Sequence, residues 1–279
     1  MQEQQPSRTA LGAAAYRAAH QHHDAGRIFY DPLARVVLGL DADRIIAELA
    51  NDPASDPLRL FIAARSRFAE DCLAAAAECG IRQAVVLGAG LDTMALRQPN
   101  ADVGVRIYEV DHPATQQWKR NRLAEAGLTA PANVAYVAVD FEKDDLASAL
   151  AMAGFRKDMP AFFTWLGVVP YLHRDAVITT LRTIADARNS EIVFDYTEPL
   201  ENYSEVARAR LSAVAEKAAS IGEPWLTFFD PAEISELLRG LGFSRQEDLG
   251  LAEIEVKYLG VSPGDAKKRP GPHVLHAVQ

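Results

Sequence analysis

Between Gln83 and Tyr196 the chain alternates short β-rich apolar runs with segments of helical length, and this alternation restricts its fold more than any other feature. The runs fall at 83–87, 105–110, 134–139, 161–166 and 191–196, and helical patterns fill 93–97, 113–126, 144–153 and 173–187. A parallel strand pair needs a crossover long enough to carry a helix back over the sheet, so this order predicts parallel βαβ units. Helices then cover both faces and leave the strands almost continuously apolar. The expected architecture is α/β and Rossmann-like.

The flanks predict helices. Residues 8–24 are Ala-rich with helical character, Asp31-Pro32 is a turn signal, and a second break spans Asn51 to Pro57. From Leu58 to Cys79, Leu60, Ala64, Phe68 and Cys72 recur at spacing four, as on one side of a helix. These segments predict an N-terminal helical cap over 1–79, ahead of the Rossmann-like domain at 80–279. Past the fifth run, 200–220 reads as a helix that is polar on one side, within a lid insertion at about 198–228. Asp230-Pro231 opens another helix as N-cap and first helical residue, and Gly240-Leu241-Gly242 ends it. In the tail, Ile254 to Leu259 alternates like a strand, while His273–Val278 is the better candidate for the last one.

Bulk properties exclude several classes. Of the 279 residues 49% are hydrophobic and 24% charged, enough to build a core without disulfide or metal staples. Cys72 and Cys79 are seven positions apart on one helix, roughly 10 Å, which is beyond disulfide reach. A net charge of -9 disfavours nucleic acid or an anionic membrane as partner, since either wants a basic face. With no apolar leader and no apolar run of membrane length, a cytoplasmic protein is expected. His20, His22 and His23 cluster without accompanying acids or cysteines, so no metal is expected and His20 reads as a packing residue of the cap.

The run Val85-Val86-Leu87-Gly88-Ala89-Gly90 is a buried strand entering a glycine loop, where backbone can turn tightly and approach a ligand with no Cβ in the way. A dinucleotide fingerprint has a third glycine at the position of Thr93, which is preceded here by Asp92. A carboxylate at that helix start opposes a pyrophosphate and suits a cationic ligand. S-Adenosylmethionine (AdoMet), with a sulfonium, an ammonium and no phosphate, fits this charge better than NAD. Glu109 and Asp111 end the second run, where a carboxylate can accept both ribose hydroxyls; the other reading is that one of them caps the next helix. Asp140 and Phe141 end the third, where acid and ring can meet an adenine, or simply make a turn.

With these motifs the chain resembles the leucine carboxyl methyltransferase family of AdoMet-dependent enzymes, especially its bacterial branch of polyketide and other small-molecule O-methyltransferases. The likeness is carried by Leu87–Thr93, by Tyr108–Pro113 with Trp118-Lys119-Arg120, and by Phe163–Leu172. Pro224-Trp225 with Phe229-Asp230-Pro231, and Arg17–His20 with Asp31-Pro32, extend it over nearly the whole chain. The resemblance implies a class I methyltransferase fold: a mostly parallel seven-stranded sheet, its last strand antiparallel, with helices on both faces. It implies that Arg65 binds the methionine carboxylate with help from Arg17, and that Gly88, Ala89, Gly90 and Asp92 form the cofactor loop. Asp111, with Glu109, would meet the ribose; Asp140 and Phe141 would meet the adenine; Trp165 and Leu166 would face the sulfonium. Several family members have a glutamate where this chain has Leu166, which puts the family's leucine-carboxyl acceptor in question. By the same resemblance 251–259 is a helix rather than a strand.

Methyl transfer from a sulfonium is an in-line displacement. A carboxylate acceptor is already ionised at neutral pH, so alignment and exclusion of water suffice. A phenol would want a base, for which His112, His173 and Tyr196 are candidates, although the histidines also suit helix starts. Tyr171, Tyr196, Tyr203 and Trp225 are candidates to line an acceptor pocket at the carboxyl ends of the strands, and otherwise pack. Arg8, Arg17 and Arg65 would make that mouth locally positive. The expected function is AdoMet-dependent O-methylation of a carboxylate or phenol on a small molecule or peptide terminus, by a monomer or homodimer. An AdoMet-binding protein without transferase activity, or a nucleotide-dependent oxidoreductase, are the alternatives.

Overall fold

The five apolar runs form parallel strands: β1 (Gln83–Leu87), β2 (Arg106–Asp111), β3 (Val134–Ala138), β4 (Phe162–Trp165) and β5 (Glu191–Thr197). β1 and β4 are buried at every position, as strands covered on both faces must be. With β6 (Arg245–Leu249) and β7 (Pro272–Val278) they complete a seven-stranded sheet of order β3-β2-β1-β4-β5-β7-β6. β7 runs antiparallel to both of its neighbours. The structure, a computed structural model, describes residues 7–50, 55–97, 104–220 and 222–279.

Two tail assignments differ from the local pattern. β6 is absent from the sequence reading because Arg245-Gln246-Glu247-Asp248 carries no apolar signal; among the described residues it is an edge strand paired with β7. The alternating segment is instead helix α11 (Leu251–Tyr258), as the family resemblance implies. Leu251, Ile254 and Tyr258 recur there at helical spacing, and Ile254 and Tyr258 pack in one core cluster with Phe68 and Val193.

Helices α6 (Pro113–Glu125), α7 (Leu146–Met152), α8 (Arg174–Ala185) and α10 (Pro231–Gly240) follow their strands or turns closely as the spacing predicts. His112, Asp145 and Asp230 cap three of them by accepting backbone N–H groups of the first turn. One stretch splits where a single helix is predicted. After Pro199 a single 3₁₀ turn (Leu200–Asn202) ends at the extended Tyr203, and α9 (Glu205–Ser220) starts beyond it. Of the break at 51–57, residues 51–54 lie outside the described residues, and α4 (Asp56–Glu78) begins within its end. No helix among the described residues is long and apolar enough to cross a membrane.

The N-terminal helices α1 (Arg8–His23), α2 (Ala34–Leu38) and α3 (Ala42–Ala50) share one apolar cluster with Leu91 of the glycine loop and Leu123 of α6. α4 packs against α1 and also against β4, β5, β7 and α11. Within the cap His20 is fully buried: Nδ1 meets Asp24 at 2.9 Å and Nε2 accepts the amides of Ile28 and Phe29. Burial lowers its pKa, so the ring is neutral, with its proton on Nδ1.

A buried carboxylate joins cap to loop. Asp31 is 0% exposed, accepts from Arg17 Nε (2.9 Å) and Thr93 Oγ1 (2.7 Å), and lies 3.5 Å from Arg97 Nε. Burial pushes its pKa up, but Arg17, Arg97 and Thr93 outweigh that and hold it below the usual value. Arg17 reaches on to the Leu91 carbonyl at 2.6 Å. Asp31→Asn leaves the buried Arg17 guanidinium without its anion, while Arg97 keeps Glu70, and breaking a buried pair from one side costs about 3–5 kcal/mol. Urea unfolding should show that loss; a change within about 0.5 kcal/mol, the range of surface substitutions, would refute the assignment.

Candidate active site

In this strand order the chain runs outward from β1 to β3, then returns to the other side at β4, so the ligand crevice of such a sheet opens at the carboxyl ends of β1 and β4. The glycine loop lies there. Gly88 and Gly90 have φ of +62° and +46°, a region that L side chains rarely adopt. A Cβ on Gly88 would overlap Val168 Cγ2, and one on Gly90 would sit 3.0 Å from Ala10 Cβ of α1. Asp92 Oδ1 accepts the Met94 amide at 2.6 Å and so starts the short helix α5 (Met94–Arg97).

The two acids of β2, two residues apart and so on one side of the strand, take different partners along it. Asp111 turns to the loop, accepting the Gly90 amide on Oδ2 and the His112 amide on Oδ1 (2.6 Å). Its burial raises the pKa, against the pull of those amides. Glu109 is fixed to Lys119 of α6 at 2.7 Å, both buried; burial raises the Glu109 pKa and Lys119 opposes it. Asp140 holds Lys143 Nζ (2.7 Å) and the Glu142 amide, and the Phe141 ring lies 6.2 Å from that of Trp165. His112 Nδ1 accepts the Ala114 amide as the α6 cap, while His173 is exposed at the start of α8.

A further acid, Asp195, is not among the residues the sequence singles out. Its Oδ2 accepts from Arg65 Nη1 and its Oδ1 from the Gly167 amide, each at 2.5 Å. The available signal was an acid inside the apolar run Ile192-Val193-Phe194-Asp195-Tyr196. Arg65 is 8% exposed and its Nε has no partner, as is also true of Trp165 Nε1. Leu166, half-buried, packs against the α4 side of the sheet. Arg17 is not brought to this corner; it is bound behind the loop by Asp31 and Leu91.

Beyond β5, Glu223 contacts the start of α1, and the Leu226 and Thr227 amides meet the Pro170 carbonyl after β4. Glu223 accepts the Arg8 and Thr9 amides (2.9 and 2.8 Å) and so grips the first turn of α1. Tyr171 is hydrogen-bonded to Trp225 within the field of Arg65 and Asp195; burial raises its pKa against that hydrogen bond. A pocket of about 320 Å³ lies beside the lid, lined by Arg174, Pro199, Leu200, Glu201 and Leu226–Phe228. Tyr203 is buried with its hydroxyl unpartnered. Tyr196 faces the opposite side of β5 from Asp195: its hydroxyl donates to Asp248 Oδ2 at 2.6 Å, and its ring stacks on His273. His273 in turn bridges Asp248 (3.0 Å) and Glu198 (3.2 Å), where the lid leaves β5.

A sequence model of the leucine carboxyl methyltransferases matches residues 10–185. The chain belongs to the leucine carboxyl methyltransferase family. A relative in Bacillus subtilis (strain 168), named "Putative S-adenosyl-L-methionine-dependent methyltransferase YktD", is 31% identical over 100% of both chains. A Mycolicibacterium paratuberculosis protein of the same general name is 30% identical over 96% of this chain and 84% of its own. Among solved structures, a DUF574 family protein from Streptomyces avermitilis has a TM-score of 0.56 at 18% identity, covering 96% of this chain and 97% of that one. A "putative methyltransferase" from Thermobifida fusca YX has a TM-score of 0.57 at 19% identity, covering 96% of this chain and 94% of that one. The family member's mostly parallel sheet with its antiparallel last strand is thus the class I methyltransferase fold.

Two outcomes follow for this methyltransferase. Gly88→Ala combines the Val168 overlap with a left-handed backbone that costs about 1–2 kcal/mol, so it should lower the melting temperature. Adding Val168→Ala should return part of that loss; no recovery would show that Val168 is not what excludes the side chain. For His273, burial lowers the pKa but Asp248 and Glu198 outweigh it, leaving it raised. A raised folded pKa gives stability that is fully present below the unfolded value of about 6.5 and fades as pH climbs through the folded one. The melting-temperature gap between wild type and His273→Gln should therefore shrink from about pH 6 to about pH 9; a constant gap would show that the ring stays neutral.

Proposed function

We propose that this S-adenosylmethionine-dependent methyltransferase methylates a carboxylate oxygen on a small molecule or a peptide terminus. The observation that carries the acceptor class is the state of the candidate bases. His112 Nδ1 caps α6, Tyr196 has its proton committed to Asp248, and His173 stands on the surface. A phenol would have to lose its proton to one of these groups, whereas a carboxylate arrives without one.

The residues at the crevice fit AdoMet. Arg65 Nε is a buried donor with no partner, suited to the methionine carboxylate, and the Gly88–Gly90 backbone turns at the carboxyl end of β1 in a left-handed conformation, packed close against Val168 and Ala10. On this reading Ala89 and Asp92 complete the loop, Asp111 meets the ribose hydroxyls, Asp140 and Phe141 the adenine, and Trp165 and Leu166 the sulfonium side. Bound AdoMet supplies a methyl group made electrophilic by its sulfonium. The chain's own work is alignment and drying. The grip of Glu223 on α1 closes lid over cap, Ala10 covers Gly90, and Tyr171 and Trp225 line the acceptor side. Arg17 acts indirectly, holding the loop through Leu91. Tyr203 packs beneath the lid.

Calorimetric titration with AdoMet, S-adenosylhomocysteine and NAD should show binding of the first two alone. Asp111→Ala should weaken AdoMet by about 1–3 kcal/mol, the cost of hydrogen bonds to a charged acceptor; unchanged affinity would remove Asp111 from the ribose. With methyl-labelled AdoMet and mixed carboxylic acids and phenols, the label should appear in base-labile methyl esters. Base-stable aryl ethers would overturn the carboxylate reading.

A further inference from the structure

We propose that Asp195 is the positioning residue that sets Arg65 for the amino-acid end of AdoMet. The proposal rests on AdoMet being the cofactor. An acid in a strand covered on both faces is tolerated only when its charge is met, and both oxygens of Asp195 are met by groups at the crevice. One holds Arg65 of α4 and the other the Gly167 amide just past β4, so a single carboxylate of β5 ties together two elements that flank the glycine loop.

The geometry of the guanidinium supports this. Arg65 meets Asp195 through Nη1 alone, although its planar group carries five N–H donors; Nε is buried and unpartnered. Gly167, at φ +72°, lets the guanidinium lie flat against the backbone, since a Cβ there would sit 2.8 Å from Nη2. Carboxylate on one edge and bare backbone on one face leave the remaining edge fixed in direction. Among the described residues Asp195 is the one carboxylate paired with Arg65, and Leu166 brings no charge to the end of β4.

Charge explains why an arginine here needs a buried acid. AdoMet brings an anion, the methionine carboxylate, together with two cations, the ammonium and the sulfonium. A lone guanidinium would attract the first and repel the other two at close range in a dry corner. Paired with Asp195, Arg65 presents a directed donor set on a nearly neutral unit, so the carboxylate is recognised without a penalty at the cations.

The test compares S-adenosylhomocysteine with 5′-methylthioadenosine, which lacks the amino-acid end, by calorimetry. Asp195→Asn should weaken S-adenosylhomocysteine about tenfold or more and leave methylthioadenosine within about twofold. In the Arg65→Ala background the same substitution should add no further loss. Equal losses for both ligands, no loss for S-adenosylhomocysteine, or additive effects in the double variant would each overturn the proposal. Should Asp195→Asn not fold, Asp195→Glu keeps the charge but displaces it by one methylene; the same selective loss is expected, and an unchanged preference overturns it. If wild type itself fails to bind S-adenosylhomocysteine, the cofactor reading falls, and this proposal falls with it.

Discussion

The glycine loop depends on one buried carboxylate. Asp31, with no exposed surface, gathers Arg17 from α1 together with Thr93 and Arg97 from the far end of the loop. A charge so placed is stable only while all of these partners stay with it. Cap and loop are therefore a single unit energetically, although a strand and a long helix separate them in sequence. The rest of the mouth is arranged on that unit: Ala10 can approach Gly90 only because α1 is fixed, and Glu223 can bring the lid down because the α1 amides are there to receive it.

The acids around the crevice show how position within a strand divides chemistry among similar groups. Glu109 and Asp111 are two residues apart, yet one is fixed to Lys119 and the other to the loop amides. Asp195 and Tyr196 are adjacent and face opposite sides, one towards Arg65 and one towards Asp248 and His273. In each case a polar side chain inside the sheet is satisfied by a partner from a different element, which is the condition for burying it at all. Two of these pairs, Glu109 with Lys119 and Asp195 with Arg65, tie helices α6 and α4 to the sheet.

The legibility of the sequence varied with the locality of the signal. Val85–Leu87 and Ile192–Phe194 announce buried strands, and Gly88 and Gly90 announce a loop in which backbone must approach something closely. The helix starts at His112, Asp145 and Asp230 lie within three residues of the amides they cap. By contrast, Arg245–Asp248 is a strand only because β7 supplies its hydrogen bonds, and residues 254–259 show two periodicities between which packing against Phe68 and Val193 decides. Asp31 reads locally as a turn residue, and Asp195 carries no local signal of its buried partners.

The sequence by itself therefore determined the α/β class, the parallel crossovers, the place of the glycine loop and the family, because each rests on periodicity, turn chemistry or spacing along a short stretch. Only the tertiary structure decided which acid faces the loop, that Arg17 supports the loop from behind, that Tyr196 belongs to a histidine clamp, and that Arg65 is oriented by Asp195. Those outcomes depend on partners as far apart as 130 positions in the chain, and on which face of a strand each side chain takes once the helices have closed over it.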